Sequence, residues 1–158
     1  MSWPALFALS GLVLLSSCGV VFQYQEVELG PQPFDDVWDA VVEVAAADGY
    51  PEDPAGTDRG LRIFESRWRT QAVPFRLGSV HRGARRRVHA EFEQDPDDRS
   101  WLVRFYVERQ VIGDMTESLN PSEEHWTEGG QDAETERRMR VKLRSRFQVR
   151  SVSGSSEP

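Results

Sequence analysis

Two stretches with a period of two, separated by a short acidic turn, constrain this chain more than anything else in it. From Arg85 to Gln94, Val88, Ala90 and Phe92 fall on one side, and Arg87, His89, Glu91 and Glu93 on the other. From Trp101 to Ile112, Trp101, Val103, Phe105, Val107 and Val111 share a face against Arg104, Glu108 and Gln110. Asp95-Pro96-Asp97-Asp98 between them is a turn cluster. The spacing predicts an antiparallel hairpin with one wet face and one dry face, and the dry face must be covered by something else.

Two helices are predicted as that cover. Phe34 to Gly49 carries Phe34, Val37, Trp38, Val41, Val42 and Ala45 as one apolar stripe, with Asp35 and Asp36 at the favourable end of the dipole and Gly49 as terminator. Asp132 to Val149 carries Met139, Leu143 and Phe147 at spacing four, with Glu134 and Glu136 early and Arg144, Arg146 and Arg150 late. Leu61 to Thr70 reads as a further strand with Phe64 and Trp68 on one face, and Val73 to Val80 as one more short strand. Tyr50 to Gly60 is a loop punctuated by Pro51, Pro54, Gly56 and Gly60. Gly113 to Gln131 is a long connection of the kind that often carries function, with one helical turn expected at Asn120-Pro121-Ser122-Glu123. Val21 to Leu29 is a strand or an extended tether. The expected fold is α+β: a small antiparallel sheet of three to four strands with two helices packed on one face, in the order (β)αβββα. A length of 158 residues, 39% apolar and 28% charged, suits one such domain and excludes a disordered chain or a multi-span membrane protein.

The N-terminus is different in kind. Ala5 to Leu15 is an apolar run of eleven residues. A membrane-spanning helix needs about 20, so the run fits the hydrophobic region of a secretory signal peptide instead. It leads directly into Leu15-Ser16-Ser17-Cys18-Gly19, which resembles the lipobox of bacterial lipoproteins. The resemblance implies that residues 1–17 are a signal peptide and that Cys18 becomes the lipidated first residue of the mature chain, held by palmitate-type acyl chains. With Gly19 rather than Asp after the cysteine, it implies export to the periplasmic face of the outer membrane. Met1 to Pro4 lacks the Lys or Arg that signal peptides carry there. The competing reading is a buried apolar segment with a core cysteine. On the lipoprotein reading, residues 18–32 are the lipidated N-terminus with a tether or edge strand, 33–150 a single α+β domain, and 151–158 a flexible tail. Element order plus anchor loosely resembles the helix-on-sheet domains of envelope-assembly lipoproteins of the BamC type.

Charge is segregated along the chain. Glu26 to Asp58 holds ten acidic residues and no basic one, whereas Arg137 to Arg150 holds seven basic residues and no acidic one. Arg62 to Arg87 is basic, and Glu91 to Glu136 is mostly acidic. The densest run supplies the candidate anion or partner contacts: Arg82, Arg85, Arg86 and Arg87, joined by Trp126 in the long connection. Arginine forks suit phosphates and carboxylates. The plainer reading pairs these arginines with Glu91, Glu93 and Glu108 on neighbouring strands, and lets Trp126 cover one end of the core. Trp38, Trp68 and Trp101 are expected in the core.

No catalytic constellation is legible. His81, His89 and His125 lack helical metal spacing, and one cysteine cannot build a thiolate site. Gly78 and Gly83 have P-loop spacing, but Ala84-Arg85 replaces the required Lys-Ser/Thr. We therefore expect no enzyme, no cofactor and no metal. A net charge of −7 and an exported chain also argue against nucleic acid. The expectation is a cell-envelope module that is bound to the membrane through its N-terminal lipid and engages an envelope protein partner. The alternative is a small-ligand or lipid carrier, with ligand held between sheet and helix.

Overall fold

The computed structural model of the chain describes residues 21–71, 83–112 and 126–153. Eight elements follow in order: β1 (Gln25–Leu29), α1 (Phe34–Ala47), β2 (Ile63–Glu65), β3 (Arg69–Gln71), β4 (Ala84–Gln94), β5 (Trp101–Ile112), β6 (Trp126–Gln131) and α2 (Ala133–Ser153). The fold is α+β, but the antiparallel sheet has six strands rather than three or four. β4 and β5 are its spine, pairing from Ala84↔Val111 to Gln94↔Trp101 as an unbroken ladder. Both long strands are shared by two short ones. β2 and β3 lie end to end along β4, and β1 and β6 end to end along β5.

Sequence periodicity predicts one strand from Leu61 to Thr70, and the structure splits it. Arg62 adopts a left-handed φ of 60°, pairing resumes at Ile63, and Arg67 and Trp68 fall between β2 and β3. That break turns Trp68 away from the core face that Phe64 occupies, so Trp68 is not a core residue. Strand β6, inside the expected long connection, was invisible to periodicity because its sequence is WTEGGQ. Its glycines have a geometric cause. A Cβ on Gly129 would lie 3.2 Å from the Arg109 carbonyl oxygen, and Gly130 has φ +81°, at the irregularity between Glu108 and Gln110. The expected strand at Val73–Val80 and the turn at Asn120–Glu123 lie outside the described residues, as do His81 and His125.

Both helices contribute to one core with the dry face of the sheet. Val37, Trp38, Val41, Val44 and Ala45 of α1 and Met139 and Leu143 of α2 are buried against Val27, Val88, Ala90, Phe92, Trp101, Val103, Phe105 and Val107. Helix α1 ends in a Schellman motif: Tyr50 N–H donates to the Ala45 carbonyl and Gly49 N–H to that of Ala46, each at 2.9 Å, with Gly49 at φ +84°. Helix α2 starts at Asp132, whose Oδ1 accepts the Thr135 N–H at 3.1 Å. It runs to Ser153, past the Val149 read from sequence.

The junction of β1 and β6 leaves Val107 without a strand partner on that side, and α2 supplies one. Val107 N–H donates to the Glu136 carboxylate at 2.9 Å, and its carbonyl accepts the Asp132 N–H at 2.9 Å. Gln131 completes the splice by exchanging two 2.8 Å hydrogen bonds with the backbone of Gln23.

Candidate functional site

The wet face of the sheet carries a connected set of aromatic and charged side chains. Its residues come from alternate positions of β4 and β5 and from the segments entering β1, β2 and β3. Antiparallel register sets Arg85 beside Gln110, Arg87 beside Glu108, His89 beside Tyr106 and Glu91 beside Arg104. From one edge to the other, these groups are hydrogen-bonded in series. Tyr24 OH donates to Glu91 at 2.8 Å. His89 lies between Glu91 and Glu65, each ring nitrogen 3.2 Å from a carboxylate oxygen. Arg87 joins Glu65 at 2.9 Å to Glu108 at 2.7 Å. The Gln110 amide donates to Glu108 at 2.9 Å and accepts from Arg85 Nε at 2.8 Å.

At one end of that series the Arg85 guanidinium lies between two indoles, 4.4 Å from the Trp68 ring centroid and 4.5 Å from that of Trp126. Arg87 sits 4.7 Å from the other part of this aromatic wall, Trp68. At the opposite end, Tyr106 stacks on His89 at 5.0 Å and on Phe22 at 4.5 Å. The face therefore combines flat aromatic surface with charges already committed to neighbours.

Titration behaviour follows from this arrangement. Burial opposes ionisation of Glu91, but hydrogen bonds from Tyr24 and His89 outweigh it and hold the carboxyl below its ordinary range. Burial and the adjacent Glu91 push the Tyr24 phenol up to about 12. Tyr106 is raised by burial and by the charge of Glu108. Burial disfavours the Arg87 cation, yet Glu108 and Glu65 more than compensate and raise it. Chemically this is a surface of satisfied donors and acceptors, with no activated nucleophile among them.

The residues singled out from sequence separate here. Arg85, Arg87 and Trp126 come together on the wet face. Arg86 points to the opposite side, where its Nε lies 2.6 Å from Asp132 Oδ2 and its Nη1 donates to Gln71 at 2.6 Å. Arg82 and Cys18 lie outside the described residues. Of the pairings expected for the arginine run, Arg87 with Glu108 is present; Glu93 pairs with Arg104 instead. Sequence reasoning missed Trp68, Glu65 and Tyr24. Trp68 was masked by its apparent register with Phe64, and nothing local signals that Tyr24 meets Glu91, 67 positions away.

Among the described residues, no three His, Cys, Asp or Glu side chains are grouped as a metal site requires. No helix among them is long and apolar enough to cross a membrane. Comparison with protein-family models gives no match, and comparison with curated proteins gives no significant one.

Proposed function

We propose that this chain is a lipid-anchored cell-envelope protein that binds a protein partner through the wet face of its sheet and has no catalytic role. The observation that carries the reading is the lipobox, Leu15-Ser16-Ser17-Cys18, placed directly ahead of a folded domain. Two or three acyl chains on Cys18 would hold the domain stably, since each buried CH₂ contributes roughly 0.8 kcal/mol. Phe22 stacks on Tyr106, so only three residues, Gly19, Val20 and Val21, separate the anchor from the wet face, a reach of at most about 14 Å over four residue steps.

The composition of that face supports a binding role. Trp, Tyr and Arg dominate the energetics of protein interfaces, and Trp68, Trp126, Tyr106, Arg85 and Arg87 all present there. A carrier would need a cavity between the sheet and α1. That layer is filled ring against ring: Trp38 lies 5.1 Å from Phe92 and 6.3 Å from Phe64.

Two measurements in cells test the proposal. Cys18→Ala should move the protein from the membrane fraction to the soluble periplasm; continued membrane association would end the lipoprotein reading. A photo-crosslinker at position 126 should give a discrete protein adduct that Arg85→Ala weakens. Absence of any adduct from that position would count decisively against a partner on the wet face.

A further inference from the structure

A second site lies at the far end of the domain, where β1 hands over to α1. Two hairpin loops end there, and they are built alike. Asp58 and Ile63 close the first by exchanging backbone hydrogen bonds of 2.8 and 2.9 Å. Asp95 N–H closes the second on the Ser100 carbonyl at 2.9 Å. In each loop the residue just before the closing partner, Ile63 or Ser100, is left-handed, a conformation for which glycine is the usual choice. Here both are arginines, Arg62 and Arg99, each with φ 60°. They are the only left-handed non-glycine residues among the described residues. Such conformations persist where the surrounding structure fixes them.

Both arginines line one open pocket of about 500 Å³, in the range of small-molecule sites. Its apolar walls are Pro31, Pro33 and Phe34, and Trp101 lies beneath them. The Arg62 guanidinium sits 5.1 Å from the Trp101 ring centroid and 5.8 Å from that of Phe34. No acidic residue lines this pocket. Of the nearby carboxylates, Asp35 pairs with Arg59, while Asp58, Asp95 and Asp98 each accept a backbone N–H of their own loop, from Leu61, Asp97 and Ser100, and keep their charge. Arg62 and Arg99 have no ion pair within the described residues, which is also true of Arg67, Arg109 and Arg144; what sets Arg62 and Arg99 apart is that both line this pocket.

We infer that this pocket is an anion site for a small molecule bearing a carboxylate or phosphate on a flat ring. The oxyanion is held by the Arg62 and Arg99 guanidiniums, and the ring rests on Pro31, Pro33 and Phe34. Two forked donors match the planar oxygens of a carboxylate or the face of a phosphate. The inference does not depend on the wet face or on the anchor.

The test is a titration of the full chain with benzoate and with phenyl phosphate, followed by ¹⁵N NMR of the arginine Nε–H groups. Saturable shifts at Arg62 and Arg99 are expected below about 10 mM. The stronger of the two probes distinguishes a carboxylate from a phosphate ligand. Asn keeps a left-handed backbone, so Arg62→Asn and Arg99→Asn should fold and should each weaken binding about tenfold or more. Arg62→Lys should recover part of the loss. The inference is overturned by any of three results: no saturable shift from either anion, equal shifts from benzyl alcohol, or unchanged affinity in both Asn variants. Inorganic phosphate binding as tightly as phenyl phosphate would overturn the ring-binding half of the inference.

Discussion

The Arg85 guanidinium carbon lies 4.5 Å from the centroid of the Trp126 ring, across a strand that belongs to neither residue. Arg85 is on β4, Trp126 on β6, and β5 runs between them. Trp68 closes the other side at 4.4 Å. Half-buried cation–π contacts of this kind contribute about 0.5–1 kcal/mol each. A double-mutant cycle of Arg85→Gln and Trp126→Ala, read by urea unfolding, should therefore show a coupling of about 0.5–1 kcal/mol. Strict additivity of the two single changes would show that the stacking adds nothing to stability.

Glu136 is almost fully buried, and burial pushes its carboxyl above the ordinary range despite hydrogen bonds from Val107 and Gln131. The folded protein thus holds this proton at pH values where the unfolded chain has released it. The group contributes stability at low pH, and that contribution is lost as pH rises through the raised value. Glu136→Gln retains an acceptor for the Val107 N–H and removes the titration. Unfolding measured at a series of pH values should show the variant gaining on the parent protein as pH rises through this window. A difference independent of pH would refute the assignment.

Burial raises the Tyr24 phenol, and its 2.8 Å hydrogen bond to Glu91 raises it further while, together with His89, lowering the Glu91 carboxyl. In an alkaline absorbance titration, the parent protein should contain a phenol that ionises near 12. Glu91→Gln removes the adjacent charge and should bring that phenol down toward 10, its ordinary value. The same midpoint in both proteins would mean that burial alone sets it.

Asp48, just past the end of α1, ties the two helices together. Its side chain is 8% exposed and its Oδ1 accepts from Lys142 at 2.7 Å and from Arg138 at 3.1 Å. Because both cations are partly in water, Asp48→Ala should cost about 1–2 kcal/mol, below the 3–5 typical of fully buried pairs. Lys142→Ala, with Arg138 still in place, should cost less. Chemical denaturation of the two variants gives the comparison, and the reverse ranking would displace Asp48 as the hub.

Arg99 is exposed and left-handed. Arg99→Gly removes the backbone strain, worth about 1–2 kcal/mol, at a smaller entropic cost in the unfolded chain of about 0.4–1 kcal/mol. The variant should be more stable by about 0.5 kcal/mol. A less stable Arg99→Gly protein would mean that the arginine side chain itself supports the loop.

Segregated charge in the sequence acquires a meaning once the chain is folded. The acidic block through Asp58 includes Glu43 on α1 and Asp48 just past its end, and the basic block from Arg137 supplies their partners on α2, Arg146, Arg138 and Lys142. The basic block ending at Arg87 meets the next acidic block through Arg86 with Asp132 and Arg87 with Glu108. Block composition was legible along the chain. Which block faces which was not, because that depends on how α1 and α2 lie side by side on the sheet.

What the sequence determined by itself is what repeats locally. The β4–β5 hairpin, the stripes of α1 and α2, and the Gly49 terminator follow from side-chain period and from one backbone torsion, both properties of consecutive residues. Strand β6 and the break at Arg62 were decided by tertiary structure. A glycine-rich hexapeptide has no period to read, and a left-handed arginine carries no sequence mark. The two candidate sites divide in the same way. Arg85 and Trp126 stand out as residue types, but Trp68 joins them only because the chain breaks between β2 and β3. Arg62 and Arg99 are 37 positions apart and share a pocket only because their two hairpin loops end beside the start of α1. Long-range pairing selects such neighbours through register and burial, and no window of adjacent residues contains that information.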